Sequence, residues 1–288
     1  MKYIFTCVLY AATVCFPTIT LVAQASPGKL VLSKGQKIQV DNNIQSVINQ
    51  EMMGQTMEIK SDASMVHQLE VKDKKSNTYV IASTLTRLTT KGSAMGQEMN
   101  FDSDKKEDLE TETGKALQGN LNVTKESEFN DKAKIAKGVS KDTTAEAGGQ
   151  MSEMIKRFAG AAGDDSNGAI TAFEVIPAGK KVGDSWSDSI ITNEVKTYKT
   201  YTFKELNGPN ATLSISGKQL THMKMEQQGM EINVNIEGNI AEEGIVDLKT
   251  GLVKQRTSTL DGKGTTEVMG QTIPSTIKVT TTTLVKTI

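Results

Sequence analysis

The sequence predicts a mainly β protein: one large curved antiparallel sheet, half-barrel-like, built from long hairpins, with one central helix. Its order of segments reads as two pseudo-repeated halves. Three observations carry this prediction. The tripeptide Met53-Gly54-Gln55 returns as Met95-Gly96-Gln97 and Met269-Gly270-Gln271, with a relative in Gln228-Gly229-Met230. Glycine tolerates positive φ, so each of these reads as the tip of a β-hairpin. Met230, Ile232, Val234 and Ile236 alternate strictly with Glu231, Asn233, Asn235 and Glu237, the signature of a strand with one buried and one wet face. Aromatic residues make up only 5% of the chain, so threonine, valine, isoleucine and methionine carry the apolar pattern, which suits a sheet.

The chain opens with Lys2 ahead of an apolar run that continues to Val22, followed by Ala23-Gln24-Ala25. Small residues at those two positions are what signal peptidase reads, so residues 1–25 are expected to be a secretory signal peptide cleaved after Ala25. A transmembrane anchor is the alternative, and Thr6, Thr13, Pro17, Thr18 and Thr20 weaken it. The expected location is secreted or periplasmic. No other run approaches the ~20 apolar residues that a membrane helix needs, so no anchor is expected after cleavage. Both cysteines, Cys7 and Cys15, lie in the leader, so disulfides, thiolate metal sites and cysteine nucleophiles drop out of the mature chain together. The net charge of −1 becomes −2 without Lys2, which gives no argument for nucleic acid or an anionic surface.

Residues 26–288 are expected to form a single β-rich domain. Strand 37–51 carries Ile38, Val40 and Ile44 in one parity and Val47 in the other, which predicts a bulge near Asn42-Asn43. Residues 57–71 and 79–90 continue the strand pattern, and residues 105–112 read as a charged loop or a short helical turn. Residues 117–137 read as two strands around Lys125-Glu126-Ser127. Met151, Met154, Ile155 and Phe158 then fall at i, i+3, i+4 and i+7, one face of a helix over about 150–161. Strand texture resumes from 169, with long runs over 190–206, 211–225, 230–240, 244–260 and 265–285. The stretch from Asp247 to Gly251 reads as a turn. The pseudo-repeats are about 35–137 and 183–285, joined by a helical and loop segment over about 138–182.

Pro177, the run Val182-Gly183-Asp184-Ser185-Trp186 and the later Asp247-x-x-Thr250-Gly251 resemble a family of secreted or envelope proteins of Gram-negative bacteria, described only as a domain of unknown function. That resemblance covers most of the mature chain. It implies an exported β-rich protein and supplies no catalytic residues. In general shape the chain is also similar to lipoprotein-carrier folds, a curved antiparallel sheet around a helix.

Candidate chemistry is sparse. A hydrolytic triad needs a histidine base, and only His67 and His222 exist, neither with a nucleophile elbow. His67 shares the apolar parity of Met65 and Leu69, and structural roles are favoured for both. Thioethers suit Cu(I), so Met223, Met225 and Met230 form one candidate metal set, weighed against methionine as adaptable core filler. Asp165, Asn167, Gly168, Ile170 and Glu174 match positions 3, 5, 6, 8 and 12 of an EF-hand loop, but the first position is Gly163, and a polar connector is favoured. Glu242-Glu243, and Asp104 with Glu107, read as solvated loop carboxylates. No cofactor or catalytic residue is expected. The function this supports is an exported, non-enzymatic protein binding a lipid or another apolar ligand, or another envelope protein. The alternatives are a structural module without ligand, or a calcium or copper protein. The helix is expected to dock on the inner face of the sheet, with His67 on or near that face.

Overall fold

The computed structural model describes residues 26–288 except 53, 95–96, 138–168, 193 and 228–229. Twelve strands form one antiparallel sheet: β1 Lys37–Met52, β2 Gln55–Lys74, β3 Thr78–Ala94, β4 Gln97–Asp102, β5 Thr124–Asn130, β6 Ile135–Lys137, β7 Ser185–Ile191, β8 Val195–Asn207, β9 Asn210–Gln227, β10 Met230–Asp247, β11 Val253–Val268 and β12 Gln271–Thr287. Two short helices, α1 Lys106–Glu110 and α2 Glu112–Gln118, follow β4, and a 3-10 turn covers Ile170–Ala172. The predicted helix over 150–161, and with it the docking expectation, lies outside the described residues.

Strand order is β6-β5-β3-β2-β1-β12-β11-β10-β9-β8-β7, with β4 beside β3. The first half therefore runs from the centre of the sheet to one edge, and the second returns from the other edge to the centre, where β1 pairs with β12. The sheet stays open, with no ladder between β6 and β7. Yet its two edges meet at one end, where Lys134, in the turn before β6, pairs with Asp188 of β7; beside them the Phe129 ring of β5 stands 5.7 Å, edge to face, from Phe173 of the irregular segment 169–177. A sheet whose first and last strands touch has curled by most of a turn. Extra residues at Lys72, Lys204 and Lys254, where the pairing registers shift, put β-bulges near this end. A bulge bends its strand and increases the local twist.

This end, the base, holds the larger core. Ile38, Val40, Leu69, Val71, Ile81, Phe129, Phe203, Leu213, Ile215 and Val246 point inward from seven strands. Two irregular segments cross the base and fill it. Residues 26–34 contribute Leu30 and Leu32, each 1% exposed, and residues 169–177 contribute Ala172, Phe173 and Ile176. Buried irregular backbone needs partners, and these segments find them. Leu30 donates to the Asp131 carbonyl (2.6 Å) and Val31 to that of Thr250 (2.9 Å). The Tyr79 hydroxyl donates to the Leu30 carbonyl (2.8 Å), and the Ser26 hydroxyl to that of Ile176 (2.8 Å).

At the opposite end lie the hairpin tips. Gly54 (φ +77°) closes β1–β2, and Met269 (φ +51°) with Gly270 (φ +76°) closes β11–β12. Two positive φ values across a two-residue connection match a type I′ turn. Gly96 and Gly229 lie outside the described residues, although Ala94 and Gln97, flanking the former, pair directly. Between the ends, a second cluster holds Ile44, Ile48, Met65, Leu88, Phe101, Ile240, Leu260, Ile277 and Val279.

Two sequence expectations about strands are corrected. No bulge interrupts β1: its pairing with β2 and β12 is continuous. Asn42 simply occupies an inward position, where it accepts a hydrogen bond from the Thr283 hydroxyl (2.7 Å), and Val47 faces outward. Lys125-Glu126-Ser127 is not a turn but the middle of β5, and the turn falls at residues 131–134.

Candidate functional site

Period-two alternation sorts each strand into an inward and an outward set. Followed along β10 it places Ile232, Val234, Ile236, Gly238, Ile240, Glu242, Gly244 and Val246 inward. On β11 it does the same for Arg256, Ser258, Leu260 and Val268, and on β8 for Lys199 and Tyr201. Glu242 is therefore not a solvated loop residue: it is 8% exposed, inside the sheet. Its parity with Ile240 and Val246 was the available signal, and the adjacent Glu243 disguised it.

Glu242 belongs to an ionic network above the base core. Lys199 Nζ lies 2.7 Å from Glu242 Oε1. Arg256 Nη2 donates to Glu174 Oε2 at 2.8 Å, and Arg256 Nε stands 4.0 Å from Glu242 Oε2. The two carboxylates and two cations balance. Burial is the largest influence on Glu174 and raises its pKa, with Arg256 and Lys199 pulling it down. For Glu242 burial again acts upward, but Lys199 and Arg256 outweigh it and hold the carboxyl below its ordinary range. Burial, then the Glu174 charge, pushes the Tyr201 phenol up. Tyr201 stacks on Trp186 of β7, ring centroids 5.3 Å apart. Glu242 Oε2 and Arg256 Nε are buried and have no hydrogen-bond partner.

On the other wall, His67 of β2 lies inward at 3% exposure, opposite Val40 on one side and Leu85 on the other. Its Nδ1 has no partner. Burial, followed by the charge of Lys125, lowers its pKa to about 4. His222 faces the outside, where its Nδ1 is 2.5 Å from Asn235 Oδ1. The two histidines therefore sit on opposite faces of the sheet.

Toward the tips the inner face changes character. Met57, Ile232, Val234, Val268 and Ile273 are half-buried and belong to neither core cluster among the described residues. Cross-strand pairing joins Ile232 to Val268 and places Thr266 between Val234 and Ile273. The outward positions between them are Glu231, Asn233, Asn235, Glu237, Lys263 and Glu267. The tip half is thus a two-faced sheet with an apolar inner strip.

The metal expectations fare unevenly. Asp165 and Asn167 lie outside the described residues, while Glu174 is engaged by Arg256 rather than lying in an open loop. Met223 sits opposite Val234 and Met225 opposite Ile232. The side chains of Met225 and Met230 lie outside the described residues. Among the described residues no cluster of three or more histidine, cysteine or acidic side chains could hold a metal ion, and no helix is long and apolar enough to cross a membrane. The leader, residues 1–25, also lies outside the described residues.

These features define a class: an open, curled antiparallel sheet, plugged at one end and apolar inside at the other. The chain belongs to the family of unknown function DUF6263, whose model matches residues 76–253. No curated protein matches it in sequence. Among solved structures it is similar to one described as lipid-protein interactions in lipovitellin, with a TM-score of 0.48 and 9% identity over 89% of this chain and 25% of that one. The chain therefore spans a quarter of that protein's length. It is also similar to an outer membrane channel from Pseudomonas putida F1, with a TM-score of 0.26 and 8% identity over 90% of this chain and 98% of the channel. For OccK5 (OpdH) from Pseudomonas aeruginosa the values are 0.25 and 6%, over 89% and 99%.

Proposed function

We propose that this chain is an exported, non-enzymatic protein that binds an extended apolar molecule along the inner face of its tip half. The observation that carries this reading is the inner strip of Met57, Ile232, Val234, Val268 and Ile273, half-buried on the inside of a curled sheet whose facing outward positions include Glu231, Asn233, Asn235, Glu237, Lys263 and Glu267. Apolar side chains that a fold leaves half-covered on a concave face favour an apolar occupant, because each square ångström withdrawn from water contributes about 25 cal/mol. Methionine and β-branched side chains tolerate occupants of varied shape. The leader pattern at residues 1–25 supports export.

Native mass spectrometry of the protein purified from its own host tests this. The expected result is a co-purified lipid-sized adduct, released in organic solvent. Placing a charge on the strip, Val234→Glu, is expected to remove the adduct while leaving far-UV circular dichroism unchanged. A bare mass, together with no saturable binding of the neutral dye N-phenyl-1-naphthylamine, overturns the reading.

A further inference from the structure

We propose a second binding site, on the outer face and independent of the apolar strip, that takes a neutral oligosaccharide. Strands β8 to β11 enclose a depression there of about 530 Å³, within the range that holds small ligands. Outward positions in two adjacent cross-strand rows line it. One row runs Lys196, Leu220, Glu237 and Lys263, each the pairing partner of the next. The other runs His222, Asn235 and Thr265. Glu194 closes its end, where its carbonyl accepts from the His222 backbone N–H (2.7 Å). Gly264 lets β11 lie close on β10 beneath these rows, since a β-carbon at that position would strike the Asn235 carbonyl oxygen.

Charge narrows the ligand. Glu194 and Glu237 are set among Lys196 and Lys263, so the lining carries both signs in equal number. Lys218, 3.5 Å from Glu237, stands outside it. An anionic ligand would meet the carboxylates and a cationic one the ammonium groups. A neutral polyol suits both, because a hydroxyl donates to a carboxylate and accepts from an ammonium. His222 Nδ1 and Asn235 Oδ1 hold each other at 2.5 Å. With that bond made, the Asn235 amide keeps its two N–H donors and His222 Nε2 stays open, a pair matched to neighbouring hydroxyls on one ring.

A pyranose ring also has an apolar C–H face, and the same corner of the sheet supplies a surface for it. Leu220, in the depression, is 40% exposed and Tyr198 is 46% exposed. They are diagonal neighbours, since Lys196 pairs with Leu220 and Tyr198 with Lys218, a separation that an aromatic side chain spans. Ile191, 62% exposed, pairs with Lys196 and carries the patch to the edge strand β7. Apolar surface alone would suit a lipid or a second copy of this chain. Apolar surface edged by groups that offer both donors and acceptors suits a sugar.

The test titrates the mature protein with maltopentaose, mannopentaose and chitopentaose, and with pentagalacturonate as their charged counterpart. Isothermal titration calorimetry and saturation-transfer difference NMR read the binding. At least one neutral sugar is expected to bind, and more tightly than the galacturonate. Asn235→Ala and Tyr198→Ala are each expected to weaken it about tenfold, while Gln68→Ala, exposed on β2, leaves it unchanged. No binding by any of the neutral sugars overturns the inference. Tighter binding of the galacturonate, or an affinity that survives both substitutions, does the same. Sedimentation velocity covers the remaining occupant: a dimer that Tyr198→Glu dissociates would mean that a second copy covers the patch, and the sugar site is then lost. None of these outcomes touches the apolar-binding function, which N-phenyl-1-naphthylamine reports separately.

Discussion

The base and tip halves of this sheet share strands, register and alternation, yet they spend their inward positions differently. At the base, Val40, Val71, Ile81, Phe129 and Leu213 are fully or almost fully buried, and two irregular segments fill the space between the walls. In the tip half the same strands carry Met57, Val234 and Ile273, which stay half-covered. The outward residues are mostly polar in both halves, with Val47, Tyr198, Leu220 and Leu284 among the apolar exceptions, so the larger difference between the halves is the covering of the inner face. Strand alternation decides which side chains point inward. What lies over them is decided by distant residues: the 26–34 and 169–177 segments, and the contact of the two sheet edges. The comparison assigns stability to the base and adaptability to the tips.

Removing a large side chain from each half tests that assignment most directly. Phe129→Ala is expected to cost about 3–5 kcal/mol, since Phe129 is 0% exposed and packs edge to face on Phe173. Val234→Ala on the half-buried strip is expected to cost about 1 kcal/mol or less. Urea denaturation of both variants measures the difference, and equal losses would dissolve the distinction between the halves.

Next in size is the ionic network between the halves. Arg256→Met leaves Glu174 and Glu242 buried beside each other with only Lys199 in reach. Breaking one partner out of a buried ion pair typically costs about 3–5 kcal/mol. The loss should shrink in acid, where Glu174 takes up a proton most readily. A loss under about 1 kcal/mol at pH 7 would show that the network is wet.

His67 gives a pH-dependent probe of the opposite wall. Its folded pKa of about 4 lies below the ordinary 6.5. Above pH 6.5 it is neutral in both states and contributes no pH dependence. As pH falls from 6.5 to about 4 the unfolded chain binds a proton that the folded chain refuses, so stability declines, by about 3 kcal/mol in all. Below about 4 this contribution levels off. Denaturation midpoints of His67→Gln across that range should lack this part of the slope. An unchanged slope would place the acid sensitivity elsewhere.

What the sequence made legible follows the same division. Gly54 and Gly270 were readable as reversals because positive φ is a local requirement. His67 was readable as inward because Met65 and Leu69 flank it in parity. Local signals failed where a polar residue occupies an inward position. Asn42 in β1 imitated a bulge because its partner, Thr283, is 241 residues away. Glu242 imitated surface because Lys199 and Arg256 arrive from other strands. The polar Lys125-Glu126-Ser127 resembled a turn for the same reason. A buried polar residue is stabilised only by partners that folding supplies, so its environment is invisible to a local reading.

The smallest expected effect lies at a tip. Met269 adopts φ +51° and is 78% exposed. A non-glycine residue in the left-handed region costs roughly 1 kcal/mol, and asparagine pays less of it because its short polar side chain bonds locally. Asn-Gly is also the preferred sequence for a type I′ turn. Met269→Asn is therefore expected to raise stability by about 0.5 kcal/mol, since little buried surface is lost. Thermal melts of the two proteins in the same buffer read this shift. A stabilised variant that also loses affinity for apolar ligands would show that methionine stands at the tip for binding, against the local preference of the turn. A destabilised variant would mean that Met269 packs in solution, and that the tip end is less open than its exposure implies.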